Sequence, residues 1–175
     1  RLLESRELLG YVRMVLGRTG DLADRTIIVS AGGTREPVDP VRVISNRSSG
    51  KMGYAVAEAA RDRGARTVLV AAPTALPDPV GVLVTHTETA LEMREAILDA
   101  SADADALIMT AAVADWRPVA TASQKIKKGD ESTWSIELTK NPDITAEVQT
   151  DGLIKVGFAA ESEDLVANAR SKIVS

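Results

Sequence analysis

The sequence predicts an α/β protein built on a Rossmann-like, doubly wound and mostly parallel sheet with helices on both faces. Two observations favour this fold. Short segments rich in Val, Ile, Leu and Ala are apolar on both sides, as strands inside a parallel sheet are. Segments with helical periodicity alternate with them, which is the chain order of βα units. The 175 residues suffice for one such domain with a buried core.

The individual elements follow from periodicity and from turn residues. The predicted strands are residues 26–31, 67–72, 82–84, 106–112, a half-exposed 133–138, and 153–160. The predicted helices are residues 2–16, a second from Lys51 to a stop at Gly64, and a last one from about Ser162. Between them, one helix begins at the capping box of Thr89 and Glu92, and another begins at Asn141 as N-cap with Pro142 in its first position. The expected buried face of the second helix comprises Met52, Ala55, Val56, Ala59 and Ala60. Three loops are predicted, at residues 34–49, 73–81 and 115–130.

Composition narrows the range of functions. The net charge of −4 makes a general affinity for nucleic acid or for an anionic membrane unexpected. The absence of cysteine excludes a disulfide, a cysteine-based zinc site and a thiol nucleophile within the chain. No apolar run approaches the ~20 residues that span a bilayer, so we expect a cytoplasmic protein. The first residue is not Met and the last ones continue a helical pattern, so we expect a domain of a longer protein, truncated at its C-terminus.

Three segments that contain glycine or polar residues follow predicted strands, namely residues 32–37, 112–116 and 157–161. Ligands of doubly wound sheets bind beyond the carboxyl ends of the strands, so this shared placement indicates a ligand site. The glycines of the first segment let backbone approach a ligand, although that segment alone is equally typical of a tight turn. Asp115 is suited to a ribose hydroxyl or to a magnesium ion carried by phosphates, and equally to a turn.

Residues 46–53 place two serines, a glycine and a lysine where the second helix begins. Free N–H groups and the positive end of the helix dipole favour an anion there, above all phosphate. The alternative is that Ser49 only caps the helix. The lysines of residues 125–128 are suited to a triphosphate, or else form a solvated charge cluster. His86, the single histidine, is expected to be structural or exposed rather than catalytic.

Six motifs occur in a specific order along the chain, at residues 32–42, 44–53, 111–117, 125–128, 140–144 and 156–161. Together they resemble the phosphopantothenate–cysteine ligase family, over residues from about 26 to the end of the chain. The resemblance implies the C-terminal half of a bifunctional bacterial coenzyme A biosynthesis protein, with a flavin-dependent decarboxylase as its front half. Residues 1–24 are then a linker helix, and residues 25–175 a nucleotide-binding ligase domain. The family chain continues beyond this sequence, which agrees with a C-terminal truncation.

The resemblance implies a two-step ligation in coenzyme A biosynthesis. The carboxylate of 4′-phosphopantothenate attacks the α-phosphorus of CTP, which gives an acyl-cytidylate and pyrophosphate. The amine of cysteine then attacks the acyl carbon, and CMP leaves. Such transfers depend on positioning and charge neutralisation more than on a protein nucleophile, which agrees with the absence of cysteine from the chain.

Roles for individual residues are also implied by the resemblance. Asn46 and Lys125 are the expected catalytic residues, and Asn46 also binds substrate together with Arg42, which is expected to act across a homodimer interface. The expected nucleotide contacts are Gly33, Ser48, Ser49, Gly50, Ala114, Asp115, Trp116, Lys125, Lys128, Lys140, Asp143 and Phe158. Mg²⁺ is expected to be held by the triphosphate, with Asp115 as the candidate protein ligand. FMN is implied only for the absent decarboxylase half.

Two other classes of function share this fold. An NAD(P)-dependent oxidoreductase is disfavoured because no G-x-G-x-x-G/A turn follows the first predicted strand. In addition, neither Tyr11 nor Tyr54 is followed four residues later by lysine. A non-catalytic nucleotide-binding module stays open, and it would bind nucleotide without turnover. The choice of CTP over ATP is implied by the bacterial members of the family alone.

Overall fold

The computed structural model describes residues 2–129 and 132–158. The helices are α1 (Ser5–Gly17), α2 (Lys51–Asp62), α3 (Ala90–Ser101) and α4 (Ile144–Glu147). The strands are β1 (Thr26–Ala31), β2 (Arg35–Pro37), β3 (Val43–Ser45), β4 (Arg66–Ala71), β5 (Leu83–His86), β6 (Ala106–Met109), β7 (Trp116–Pro118), β8 (Leu138–Lys140) and β9 (Ile154–Gly157). The main sheet has the order β5-β4-β1-β6-β9, and each neighbouring pair is parallel. This confirms the predicted doubly wound sheet.

Successive residues of the central strand face opposite layers of helices. Ile28 packs in one apolar cluster with Ile97 of α3, and both side chains are fully buried. Val29 packs in a second cluster with Ala57 of α2, and both are again fully buried. Helices therefore cover both faces of the sheet, as predicted. The carboxyl ends of the parallel strands meet at one edge of the sheet.

The bounds of α2 agree with the prediction, but its buried face does not. The buried residues are Gly53, Tyr54, Ala57, Ala60 and Arg61. Of the predicted face, only Ala60 is among them, and Met52 is 47% exposed. The cause is a close approach at Gly53, where a Cβ would lie 2.6 Å from Ala31 Cβ. The helix turns its glycine toward β1, and periodicity could not distinguish that rotation because both stripes are rich in alanine.

Two of the predicted loops contain short strands that pair in antiparallel fashion. β2 and β3 form a hairpin within residues 34–49, and β7, at the start of the polar segment 115–130, pairs with β8. β8 begins at Leu138, so the strand predicted at residues 133–138 is displaced toward the C-terminus. β6 ends at Met109 rather than at residue 112, and Thr110 Oγ1 instead donates to the Ser30 carbonyl.

The helix caps agree with the prediction at α3 and differ at α4. Thr89 and Glu92 form the predicted capping box of α3. Asn141 is not the N-cap of α4. That position belongs to Asp143, whose carboxylate accepts a hydrogen bond of 3.1 Å from the Ala146 N–H. Residues 159–160 of the last predicted strand, and the helix predicted from about Ser162, lie outside the described residues.

The N-terminal helix α1 lies against α2. Arg6 and Arg13 form ion pairs with Glu58 and Asp62, at 3.7 and 3.9 Å. Gly17 approaches the Asp62 backbone so closely that a Cβ would lie 2.0 Å from its carbonyl oxygen. Within residues 2–129 and 132–158, no helix is long and apolar enough to span a membrane.

Candidate functional site

The candidate site lies beyond the carboxyl ends of β1 and β6, where the strand order reverses. From β1 the chain passes to β4 and β5 on one side, and then to β6 and β9 on the other. Ligands of doubly wound sheets bind at such a switch point. Several segments singled out in the sequence meet here, and hydrogen bonds fix their relative positions.

The turn after β1 brings two glycines against neighbouring backbone. Gly32 has a φ of +84°, in the left-handed region that favours glycine. A Cβ at Gly32 would lie 2.7 Å from the Ala72 carbonyl oxygen, and one at Gly33 would lie 2.6 Å from the Asn46 carbonyl oxygen. These glycines therefore serve close contacts within the chain, and a contact of Gly33 with a nucleotide stays a prediction.

Backbone pairing continues past the ends of β1 and β6. The Ala112 N–H donates to the Gly32 carbonyl at 2.7 Å, and the Thr34 N–H donates to the Ala112 carbonyl at 3.4 Å. The Ala114 N–H donates to the buried hydroxyl of Thr34 at 2.9 Å. The segments that follow β1 and β6 are thus in direct contact, as their predicted placement at one edge requires.

Asn46 reaches this junction from the end of the β2–β3 hairpin. Its Nδ2 donates to the Val113 carbonyl at 3.0 Å, although the residue is exposed. Beside it, Ser45 Oγ donates to the Thr34 carbonyl at 2.7 Å. The structure therefore places the predicted catalytic Asn46 against the segment that was predicted to contact the nucleotide.

The start of α2 is open at the same edge. Its N-cap is Gly50, with a φ of +72°, so Ser49 does not occupy the N-cap position, although Ser49 Oγ accepts from the Lys51 N–H at 3.5 Å. Ser48 Oγ accepts from the Gly50 N–H at 3.3 Å, and both serines are exposed. A helix start whose N-cap is glycine has no side chain at that position to satisfy its first turn, so its N–H groups and its dipole favour an anion. A Cβ at Gly50 would lie 2.6 Å from Thr74 Cγ2, so the loop after β4 packs against this turn.

Asn141 fixes the segment after β6, a role that the sequence did not reveal. Its Nδ2 donates to the Ala114 carbonyl at 2.7 Å, and its backbone N–H donates to the Asp115 carbonyl at 2.8 Å. Its Oδ1 accepts from Arg117 Nη1 at 3.0 Å. These bonds occupy the side chain and explain why Asn141 does not cap α4. The Asn-Pro pattern resembled a helix start, which concealed this long-range role.

The other predicted nucleotide contacts in this region are largely exposed. Asp115 is exposed, Trp116 is 45% exposed, and Lys140 Nζ lies 5.7 Å from the centroid of the Trp116 ring, in the range of a cation–π contact. Phe158 follows β9 and is 56% exposed. Asp143 caps α4, so its position has a structural reason independent of any ligand.

The lysine loop, defined here as residues 124–129, carries the predicted phosphate-binding side chains. Lys125 and Lys128 are exposed. The loop backbone is fixed at Ile126, whose N–H donates to Asp39 Oδ2 at 3.1 Å. Asp39 lies in the first of the six motifs, but the sequence did not identify it as a site residue, because a loop pattern gives no sign of which carboxylate will be buried.

Arg42 lies between the hairpin and the lysine loop. Its guanidinium donates to Asp39 Oδ2 at 3.1 Å and to the Ile126 carbonyl at 3.2 Å. Its Cζ lies 5.4 Å from the centroid of the Trp134 ring, and the side chain is 40% exposed. Arg42 is thus engaged within this chain, and its contact with substrate stays a prediction.

Asp39 is ionised at neutral pH. Burial raises its pKa, but the N–H groups of Val41, Ile126 and Arg42, together with the Arg42 charge, more than offset this effect. The pKa of Asp39 therefore lies below the ordinary aspartate value.

The described residues offer no protein cage for a metal ion, since no group of three or more His, Cys, Asp or Glu side chains occurs among them. Mg²⁺ commonly binds through one or two carboxylates together with substrate phosphates. The exposed Asp115 fits that mode of binding. His86 is exposed, as one of the two expectations had it, and its Nε2 lies 3.1 Å from Asp78 Oδ2.

These features define a Rossmann-like α/β protein with a cluster of polar loops at the switch point of its sheet. The chain belongs to the family of the DNA/pantothenate metabolism flavoprotein C-terminal domain, whose model matches residues 22–175. The coenzyme A biosynthesis bifunctional protein CoaBC of Mycobacterium bovis is 46% identical over 190 residues, which cover 99% of this chain and 46% of that protein. The chain thus spans about half the length of this curated relative.

Solved structures agree with this assignment. The crystal structure of the C-terminal domain of a coenzyme A biosynthesis bifunctional protein CoaBC matches with a TM-score of 0.78 and 39% identity, covering 87% of this chain and 73% of that chain. A Cab2 mutant in complex with phosphopantothenate-cysteine matches with a TM-score of 0.70 at 14% identity, covering 95% of this chain and 74% of that chain, which shows a shared fold. The predicted fold and the family resemblance are confirmed.

Proposed function

We propose that the protein ligates 4′-phosphopantothenate to cysteine with CTP, as the ligase half of a coenzyme A biosynthesis enzyme. The observation that carries this proposal is the hydrogen bond from Asn46 to the Val113 carbonyl. It brings an exposed amide, the open start of α2 and the segment after β6 together at the switch point of the sheet. The similarity to coenzyme A biosynthesis proteins supports the choice of substrates.

The first step activates the acid. A carboxylate oxygen of 4′-phosphopantothenate attacks the α-phosphorus of CTP, and the bond from that phosphorus to the bridging oxygen breaks, which releases pyrophosphate. We assign the triphosphate to the start of α2, with Ser48, Ser49 and Gly50, and to the cations Lys125, Lys128 and Lys140. Lys125 is the main cationic group. Helix N–H groups and lysines stabilise negative charge on phosphate without a covalent intermediate on the protein.

Asp115 is assigned to the magnesium ion that accompanies CTP. Bound Mg²⁺ neutralises part of the triphosphate charge. The Asp115 carboxylate is exposed, and its backbone carbonyl accepts from the Asn141 N–H at 2.8 Å. This bond fixes the Asp115 backbone and so keeps the carboxylate at the edge of the site. We assign no other described residue as a ligand of the ion.

The second step forms the amide. The amine of cysteine attacks the acyl carbon, the bond from that carbon to the phosphate oxygen breaks, CMP leaves, and a proton of the amine passes to water. Asn46 is assigned to the oxyanion that develops on the acyl oxygen. A carboxamide has two N–H donors, and the bond to Val113 uses one of them while it orients the other.

Recognition of the remaining substrate groups is assigned to the surrounding loops. The cytosine is recognised by the backbone of residues 114–116, together with Phe158. Further nucleotide contacts come from Gly33 and Asp143. Arg42 binds the phosphopantothenate with Asn46, across the interface of a homodimer.

The larger organisation is also part of the proposal. Residues 25–175 form the ligase domain, and residues 1–24 link it to an N-terminal decarboxylase half, which holds the FMN. The protein acts in the cytoplasm on small molecules, with no nucleic-acid or membrane partner.

Pyrophosphate release by the purified protein tests this function. The assay contains Mg²⁺, 4′-phosphopantothenate and either CTP or ATP, with and without cysteine. We expect release that requires phosphopantothenate and prefers CTP. A preference for ATP would overturn the nucleotide assignment, and nucleotide binding without any release would instead identify a non-catalytic nucleotide-binding module.

A further inference from the structure

Asp39 is a buried carboxylate in the turn of the β2–β3 hairpin. The residue is 2% exposed and its side chain is fully buried. Carboxylates are rarely buried to this extent unless donors surround them. Asp39 Oδ1 accepts hydrogen bonds of 2.8 Å from the N–H groups of both Val41 and Arg42. These two bonds shape the turn itself.

The second oxygen of Asp39 binds outside the turn. Oδ2 accepts from the Ile126 N–H and from Arg42 Nη1, at 3.1 Å each. Arg42 Nη2 in turn donates to the Ile126 carbonyl at 3.2 Å. One ion pair therefore holds both backbone polar groups of Ile126. Because Ile126 lies between Lys125 and Lys127, the pair fixes the lysine loop at the middle of its charged residues.

The turn alone does not require a carboxylate. One acceptor oxygen serves it, and asparagine shapes such turns as well as aspartate does. The charge and the second oxygen serve Arg42 and Ile126 instead. The two loops are also joined upstream, where the Ala122 N–H donates to the Val38 carbonyl at 3.0 Å.

We propose that Asp39, together with Arg42, is a positioning residue that holds the lysine loop so that Lys125 faces the triphosphate. This inference rests on the proposed function, which assigns Lys125 to the phosphates. No helix or strand lies between β7 and β8 in the described residues, and chains of like charge repel themselves and extend. A loop released at Ile126 would present the Lys125 ammonium in the productive place for only a fraction of the time.

The first experiment compares two substitutions at the contact between the hairpin and the loop. Asp39→Asn keeps the size and one oxygen for the turn, but removes the charge that binds Ile126 and Arg42. Thr121→Val is the matched control, because Thr121 Oγ1 donates to the Pro37 carbonyl at 2.9 Å and joins the same two segments away from the lysines. We expect Asp39→Asn to raise the Kd of CTP by ~10- to 100-fold and Thr121→Val to change it by less than about twofold. Equal effects would overturn the proposal.

A double-mutant cycle separates positioning from general stability. If Asp39 acts through Lys125, Asp39→Asn adds little to the loss of CTP affinity already caused by Lys125→Gln. Additive losses would overturn the proposal, because they would mean that Asp39 acts on the nucleotide by another route.

The anchor, meaning the hydrogen bond from the Ile126 N–H to Asp39 Oδ2, can be tested without any variant by hydrogen exchange of the Ile126 amide. In the unmodified protein we expect this amide to exchange at least about tenfold more slowly than an unprotected amide. Exchange at the unprotected rate would overturn the proposal even if Asp39→Asn failed to fold. This readout does not depend on catalysis, so a lack of pyrophosphate release would count against the proposed function and not against the anchor.

Discussion

The side-chain amide of Asn46 donates a hydrogen bond of 3.0 Å to the backbone carbonyl of Val113, 67 residues further along the chain. This bond joins the segment that leads into α2 to the segment that follows β6. Both segments lie beyond the carboxyl ends of parallel strands, where α/β proteins bind their ligands. The proposed activation and ligation steps therefore share one small region, and each of its parts can be tested separately.

Asn46→Ala is expected to slow amide formation much more than acid activation. Removal of one oxyanion donor lowers a rate by about 10²–10³-fold, so the acyl-cytidylate should accumulate in the presence of cysteine. Rapid quenching followed by chromatography measures both steps. Ser45→Ala is the control, since it removes the neighbouring bond to the Thr34 carbonyl and should leave the ratio of the two rates unchanged. An equal loss in both steps would contradict the assignment of Asn46.

Lys125→Gln is expected to lower pyrophosphate release by at least about 10²-fold, because the substitution removes the main positive charge at the triphosphate. Lys127→Gln removes the same charge from the same loop and serves as the matched control, with an expected change of less than about threefold. Steady-state assays with varied CTP measure both. Similar losses in the two variants would mean that the loop acts only through its total charge.

Gly53→Ala is expected to destabilise the fold by ~1–2 kcal/mol. An added Cβ would lie 2.5 Å from Thr110 Oγ1 and 2.8 Å from the Ser30 carbonyl oxygen. Overpacking of this kind costs about 1–3 kcal/mol, which exceeds the gain of up to ~1 kcal/mol in helix propensity. Gly129→Ala is the control, because its Cβ would meet no atom within 4 Å. Urea unfolding measures both, and a Gly53→Ala variant as stable as the unmodified protein would refute the close packing of α2 on β1.

Asp105→Asn is expected to reduce stability at neutral pH, with the deficit vanishing in acid. The Thr26 N–H and the Arg25 guanidinium lower the pKa of Asp105, and partial burial opposes them without reversing the shift. The folded pKa is thus below the unfolded value of about 3.9, so the stabilisation is complete above that value and is lost as the pH falls through the folded pKa. The free energies of unfolding of the two proteins, measured from neutral pH into acid, should draw together as the pH falls below about 3.9.

Asp99→Asn is the control for that series, since Asp99 is exposed on α3. It should follow the unmodified protein at every pH. A difference between Asp105→Asn and the unmodified protein that stayed constant down to the acid end would show that the ionised carboxylate is not the cause.

Local signals were sufficient for the main framework of the fold. Residues 26–31 are an apolar run that ends at two glycines, and they form β1 without a shift at either end. Thr89 and Glu92 form a cap from residues close in sequence, and α3 starts there. β1 is held by pairing with the distant strands β4 and β6, but its apolar run and the following glycines are local signals, as is the cap of α3. In both places the signal is contiguous in sequence, so a single sequence contains it.

Long-range contacts account for what the sequence did not reveal. Asn141 resembles a helix cap, but bonds to Ala114 and Arg117 occupy its side chain. Asp39 is anchored to Ile126, 87 residues away. The rotation of α2 depends on contacts of Gly53 with β1 and with Thr110, the residue after β6. Each of these features forms only when the folded sheet brings distant segments together, so no local sequence pattern predicts it.

Transfer of a carboxylate oxygen to the nucleotide tests the proposed activation most directly. 4′-Phosphopantothenate labelled with ¹⁸O in its carboxylate is incubated with CTP, Mg²⁺, cysteine and the purified protein, and the products are analysed by mass spectrometry. Attack on the α-phosphorus, followed by cleavage of the acyl carbon–oxygen bond, predicts that label appears in CMP and not in pyrophosphate. Unlabelled CMP, or label in inorganic phosphate, would contradict the acyl-cytidylate mechanism.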